Sequence, residues 1–331
     1  AGKSAAAGVC DSRARAATRR CGGLPLARLP IPSCARRCAP MCGIAGYIGR
    51  KPADQVLIVA LERLKYRGYD SAGIAVQHDG ELLTRRAVGK LKALSDLVTA
   101  QPAPGHCGIG HTRWATHGAP TVANCHPHAG GAGRIAVVHN GIIENHEALR
   151  RDLKEQGCVF ASETDTEVIP HLLARLDTGD GLAAVRATVA QLEGAFAFAA
   201  VFADRPDRII CARRGSLLIV GRSRPDEHGK RELLIASDVP ALLPHAYEAW
   251  HLDDGQLVEL HDGTVTACTV DGTPVAPAFH RIEVTAEAVD KGSYDSFMAK
   301  EIAEQPTVVG EAIGSHENTP PPVGCPVAVD T

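Results

Sequence analysis

Three Asp-Gly pairs, Asp254-Gly255, Asp262-Gly263 and Asp271-Gly272, recur at intervals of eight or nine residues in the second half of the chain. A fourth, Asp79-Gly80, separates two apolar runs in the first half. A two-residue hairpin turn of this kind needs positive φ at both positions. Asp tolerates that conformation and Gly adopts it freely. The spacing predicts short antiparallel strands joined as hairpins. Parallel strands, whose crossovers take a dozen or more residues, do not fit such intervals.

Helices group in the first half. Leu57, Leu61 and Leu64 share one face of a helix predicted over 53–65. Further helices are predicted over 90–99, 144–156, 166–176 and 182–192, the second of these stopping at Gly157. Strands are expected over 42–48, 71–76, 81–88, 107–114 and 134–138. The run Ala195 to Ala203 reads as a buried strand and is far too short to span a bilayer. Strands in runs with helices between them make the fold class α+β.

Charge marks a boundary at Met41. Residues 1–40 carry eight Lys or Arg against the single acid Asp11, whereas residues 41–331 hold 27 basic and 37 acidic side chains. The body is mildly acidic and has no basic, aromatic-laced stripe, which argues against nucleic acid and for a small substrate. Residues 1–40, rich in Arg, Ala, Pro and Cys, are expected to be disordered and either non-native or removed. The eleven cysteines show neither a disulfide framework nor a paired C-x-x-C spacing, so reduced thiols and a cytoplasmic location are expected.

Met41-Cys42-Gly43-Ile44-Ala45-Gly46 opens the body. With Met41 trimmed, Cys42 would hold a thiol and a free α-amine on one carbon. The amine titrates near about 7.7–8.0 and serves as a base where a peptide nitrogen does not. Three polar segments end predicted strands: His111-Thr112-Arg113-Trp114-Ala115-Thr116-His117-Gly118, His139-Asn140-Gly141-Ile142-Ile143-Glu144-Asn145 and Ser162-Glu163-Thr164-Asp165-Thr166-Glu167. Taken singly, these are an ion pair, a tight turn and a helix cap. His126-Pro127-His128 and the pair His111/His117 lack a companion acidic cluster and read as structural or substrate-facing. Gly131-Ala132-Gly133-Arg134-Ile135-Ala136 precedes a strand instead of opening a helix, so it is no phosphate loop.

Taken together after the Met-Cys-Gly-Ile start, these segments and Tyr66-Arg67-Gly68-Tyr69-Asp70-Ser71-Ala72-Gly73 resemble the glutaminase domain of the glutamine:fructose-6-phosphate amidotransferase (glucosamine-6-phosphate synthase) family, one of the class II, N-terminal-nucleophile amidotransferases. The resemblance runs from Met41 to about Gln305, where 290–306 matches the family's passage to its sugar-phosphate half. It implies a four-layer αββα sandwich over 41–285, with 286–331 a linker and disordered tail toward a missing sugar-isomerase half. It implies that Cys42 attacks the glutamine amide, with Asn140 and Gly141 as oxyanion hole. Arg113, Thr116, His117 and Asp165 would bind L-glutamine, Trp114 would gate ammonia and Arg67 would support the nucleophile.

No metal, organic cofactor, nucleic acid or membrane is implied. Fructose 6-phosphate would bind only through the sugar-isomerase domains, and the full-length family makes a homodimer possible. The alternatives are a class II amidotransferase of the amidophosphoribosyltransferase type and a non-catalytic glutamine-binding module. Because forty-one residues precede Cys42, the unprocessed chain is expected to be inactive as a glutaminase.

Overall fold

In the computed structural model the described residues are 42–114 and 118–283, with 294, 299–300, 302–306 and 309 beyond them. The expectations for residues 1–40 and for most of the tail after 285 therefore lie outside the described residues. In chain order the elements are β1 (Gly43–Ile48), α1 (Ala53–Glu62), β2 (Ser71–His78), β3 (Glu81–Val88), α2 (Leu91–Ala100), β4 (Cys107–Arg113), β5 (His128–Gly130), β6 (Ile135–Gly141) and α3 (His146–Glu155). There follow α4 (Val168–Leu176), α5 (Gly181–Val189), β7 (Phe196–Phe202), β8 (Arg208–Arg214), β9 (Ile219–Arg222), β10 (Leu233–Ala236) and β11 (Glu248–His251). The last are β12 (Gln256–His261), β13 (Thr264–Thr269), β14 (Pro274–Val275) and β15 (His280–Arg281).

The strands form two antiparallel sheets. One has eight strands in the order β15-β11-β9-β10-β1-β4-β2-β3, the other seven in the order β14-β13-β12-β8-β7-β6-β5. Strand alternation sorts their side chains into three apolar layers. Ile44 and Ile48 of β1 face the other sheet, where they join Val138, Ala199, Val201 and Ile209. Ala45 and Tyr47 face outward with Leu57, Leu61 and Leu64 from α1 and its exit and with Leu94 of α2. Phe196, Phe198 and Phe202 point the opposite way from Ala199 and Val201, onto Leu172, Leu173, Val185 and Val189 of α4 and α5. Helices thus cover the outer face of each sheet, and the order of layers is the αββα sandwich that the resemblance implied. Because β7 is covered on both faces it is apolar throughout, and burying each of its Phe rings stabilises the fold by roughly 1.5–3 kcal/mol.

Of the four Asp-Gly pairs read as turns, two hold in full form. Asp79-Gly80 (φ 47° and 79°) closes β2 on β3, and Asp262-Gly263 (43° and 74°) closes β12 on β13. Asp271-Gly272 also lies between paired strands, β13 and β14. Asp254-Gly255 does not make a hairpin, because it carries the chain from β11 in one sheet to β12 in the other. Several helices start or end differently from their patterns, α5 for instance stopping at Val189. α1 stops at Glu62 and yields to a single 3-10 turn, Lys65–Arg67; α4 begins at Val168, after a 3-10 turn over Asp165–Glu167. Gly131 to Gly133 turn β5 into β6.

Candidate active site

Cys42 immediately precedes β1, which lies between β10 and β4 in the eight-stranded sheet. Register pairs Gly43 with Thr112, so the start of β1 lies beside the end of β4, where Arg113 and Trp114 stand. The backbone N–H of Trp114 donates to Cys42 Sγ at 3.2 Å. Burial pushes the Cys42 thiol above its ordinary range, with the Trp114 N–H and the Arg113 guanidinium pulling back and Asp70 adding to the rise. A thiol so placed is protonated near neutrality and needs a base to react.

Asn140 and Gly141 end β6, in the other sheet, and reach the same spot. Asn140 Nδ2 donates to the Cys42 carbonyl oxygen at 2.9 Å, while its Oδ1 lies 2.9 Å from His111 Nε2. Gly141 has φ of 120°, and a Cβ there would collide with the carbonyl oxygen of Ala195. Only glycine suits that backbone. Arg113 is buried, and its Nη2 donates to the Gly118 carbonyl at 3.2 Å. Asp165 is buried at the first position of its 3-10 turn, where Oδ2 accepts the Ile143 N–H at 2.8 Å. Glu167 braces that turn by accepting from the backbones of Ala161 and Ser162 and from the Ser162 hydroxyl. Burial raises the Glu167 carboxyl, but these bonds and His171 win and bring it down to about 2.

Cys42, Arg113, Trp114, Asn140, Gly141 and Asp165 surround one cleft of about 200 Å³. That is below the ~300–1,000 Å³ of drug-sized pockets and suits a free amino acid. Trp114 is 42% exposed at its mouth, packed over Gly68, with Ile142 and Leu217 exposed nearby. Thr116 and His117 lie outside the described residues, as does the side chain of Arg67. His126, His139, Thr164, Thr166, Ser216 and Leu217 also line the cleft without having been singled out as site residues. His139 and Thr166 stood inside the quoted segments, but Ser216 and Leu217, in the β8–β9 connection, carry no local signal.

Beneath the cleft, His111, His126, His128 and His139 are almost fully buried. The His111 and His126 rings stack at 4.1 Å, and His126 meets His128 edge-on at 4.6 Å. Burial keeps all four neutral, and it takes His111 and His128 down to about 3. Two of them have hydroxyl partners: His139 Nδ1 with Thr166 Oγ1 at 2.8 Å, and His128 Nε2 with Thr164 Oγ1 at 3.0 Å. Among the described residues no group of three or more His, Cys, Asp or Glu could hold a metal ion. A larger cavity, about 990 Å³, opens by the far end of β1. Its rim charges answer one another, Arg50 with Asp226 and Lys230 with Asp262, and it holds no cysteine. The smaller cleft is the one that brings a thiol together with an amide and two opposite charges.

A family model described as a glutamine amidotransferase domain matches residues 115–244. Glutamine–fructose-6-phosphate aminotransferase (isomerizing) of Symbiobacterium thermophilum is 48% identical over 82% of this chain and 44% of its own length. The enzyme of that name from Aquifex aeolicus is 46% identical over 82% of this chain and 45% of its own. The chain thus spans less than half the length of these curated relatives. Among solved structures, the glutamine phosphoribosylpyrophosphate amidotransferase of B. subtilis, complexed with ADP and GMP, superposes with a TM-score of 0.59 at 25% identity, over 69% of this chain and 49% of that one. No described helix is long and apolar enough to cross a membrane.

Proposed function

The chain belongs, through its class II glutamine amidotransferase domain, to the glutamine–fructose-6-phosphate aminotransferase family, and on that premise we propose that Cys42 is the nucleophile that releases ammonia from glutamine. The observation that carries the reading is the convergence in one small cleft of Cys42, the Asn140 amide bonded to its carbonyl, and the opposite charges Arg113 and Asp165.

The working form begins at Cys42. Its α-amine takes the thiol proton as Sγ bonds to the glutamine side-chain carbonyl carbon. The carbonyl oxygen becomes an oxyanion facing the Asn140 amide and the Gly141 N–H, neutral donors that gain strength as charge develops. Collapse breaks the carbon–nitrogen bond, the ammonium returns its proton to the leaving nitrogen, and ammonia departs. Water, deprotonated by the same amine, then attacks the thioester and frees glutamate as the thiol re-forms. Arg113 grips the substrate α-carboxylate with its two-pronged guanidinium, and Asp165 takes the α-ammonium. Thr116 and His117 complete the glutamine loop, Trp114 gates ammonia, and Arg67 supports the nucleophile.

The names of the relatives extend the reading: the ammonia serves transfer to fructose 6-phosphate, bound outside this domain, with 286–331 leading toward that site. The unbridged thiols of Cys107, Cys125, Cys158, Cys211 and Cys268 support a reducing, cytoplasmic setting. The likeness to the phosphoribosylpyrophosphate enzyme extends to the fold, whereas 48% identity favours the sugar enzyme. An electrophilic glutamine analogue, followed by peptide mass spectrometry, tests the proposal. Label on a peptide that begins with Cys42, together with glutamate release, is the expected result. A chain that does begin at Cys42 yet takes no label and turns over no glutamine would overturn it.

A further inference from the structure

An asparagine amide serves as an oxyanion donor only one way round, because its oxygen end repels the charge its nitrogen end would hold. What fixes the Asn140 amide is therefore part of the machinery. The Cys42 carbonyl can only accept, so the end of the amide 2.9 Å from it is the Nδ2 end. Oδ1 then faces His111 Nε2 at 2.9 Å, and an acceptor there requires that His111 carry its proton on Nε2. The amide nitrogen has two hydrogens: one goes to Cys42, and the other is left for the substrate oxygen in the cleft that Asn140 lines.

We propose that His111, held as the Nε2–H tautomer, is a positioning residue that locks the Asn140 amide in the orientation the oxyanion needs. The inference rests on the glutaminase reading of Cys42.

The surroundings support that role. His111 sits on β4 two residues from Arg113 and two from Ile109, so strand alternation aims all three into the layer between the sheets. On β6, Ala136, Val138 and Asn140 alternate in the same way from the facing sheet. His111 and Asn140 thus meet where two apolar ladders turn polar. The ring is fully buried and stacked on His126, which restricts its rotation. The stack in turn depends on Gly73, paired with His111 across β2 and β4, because a Cβ at Gly73 would collide with the His126 carbonyl oxygen. A ring that merely filled space would make His111 replaceable by any flat side chain. The bond to Asn140 makes it replaceable only by a donor.

The test uses the chain beginning at Cys42. In His111→Phe the ring and its stack survive while the donor is lost. The expected result is a fall in kcat for glutamine of about 10–100-fold with KM changed less than about twofold. Affinity for the γ-aldehyde of glutamate, which forms a tetrahedral adduct on Sγ, falls by a like factor, while glutamate binds as before. Alkylation of Cys42 by iodoacetamide, a displacement without an oxyanion, keeps its rate. His111→Gln, whose amide can donate to Asn140, recovers most of kcat. Folded His111→Phe with unchanged kcat would overturn the proposal. So would parallel loss of kcat, alkylation and glutamate binding, which marks collapse of the site. If the wild-type chain itself turns over no glutamine, it is the glutaminase reading that fails; the nitrogen shifts of His111 by NMR still report separately whether Nε2 holds the proton.

Discussion

Cys42 and Cys211 belong to the same sandwich and fare very differently. Cys211 lies on β8 in the middle of the apolar layer between the sheets, fully buried, and burial pushes its thiol up to about 12. Cys42 stands at the end of that layer, also raised by burial; each sulfur has a backbone N–H, from Trp114 and Val258 respectively, but only Cys42 has a guanidinium, that of Arg113, close enough to oppose the rise. Burial alone gives an inert thiol. Reactivity needs the layer to end, so that strand termini supply donors and solvent supplies the substrate.

The largest effect should separate these two cysteines. Cys42→Ala is expected to lower glutamine hydrolysis at least about 10³-fold, whereas Cys211→Ala leaves the rate unchanged and costs about 1 kcal/mol of stability. Steady-state turnover with urea unfolding of both variants would measure it, and a dead Cys211→Ala with intact fold would break the contrast. Gly141→Ala comes next. The added methyl meets the Ala195 carbonyl in a backbone that disfavours it, so hydrolysis should fall about 10²-fold with a stability loss of about 1–3 kcal/mol. Full activity in that variant would show that the Gly141 N–H is not needed.

The neutral histidines beneath the cleft give a pH effect of intermediate size. His111 and His128 stay unprotonated down to about 3 when folded but titrate near 6.5 when the chain is unfolded. The unfolded state therefore binds more protons between those values. Their contribution is complete above about pH 6.5 and is lost as pH falls toward 3, at up to about 1.4 kcal/mol per pH unit per histidine. Urea midpoints measured from pH 7 to pH 4 should fall with that slope, and His128→Asn should flatten it. The smallest effect belongs to the far cavity. Lys230→Ala breaks an exposed pair with Asp262 and is expected to cost less than about 1 kcal/mol with no change in turnover.

Much of this was legible in residue order, for reasons that differ between fold and site. Asp-Gly pairs announce chain reversal because of their backbone preferences, which is local chemistry, and they served well at Asp79 and Asp262. They do not say which sheet the next strand will join, and at Asp254 the chain changes sheets. That choice is made by burial on both faces, which no short window contains. At the site, the polar segments that end predicted strands, with His111, Arg113 and Asn140 in them, were legible in the sequence. Ser216 and Leu217 reach the cleft only through the β8–β9 connection, a consequence of sheet order. The boundary of α4 slipped because Asp165 and Glu167 spend their side chains on backbone N–H groups, which favours a tight turn before the helix proper.

The place of β1 between two hydrogen-bonded neighbours has one more consequence. An interior strand exchanges its amide hydrogens only when the whole cooperative unit opens, and Cys42 is joined directly to such a strand. The proposed nucleophile is thus tied to the last part of the sandwich to come apart, while turns and connections around the cleft open at less cost. Heat or denaturant would release the 3-10 turn that carries Asp165 before it moved Arg113 or the sulfur.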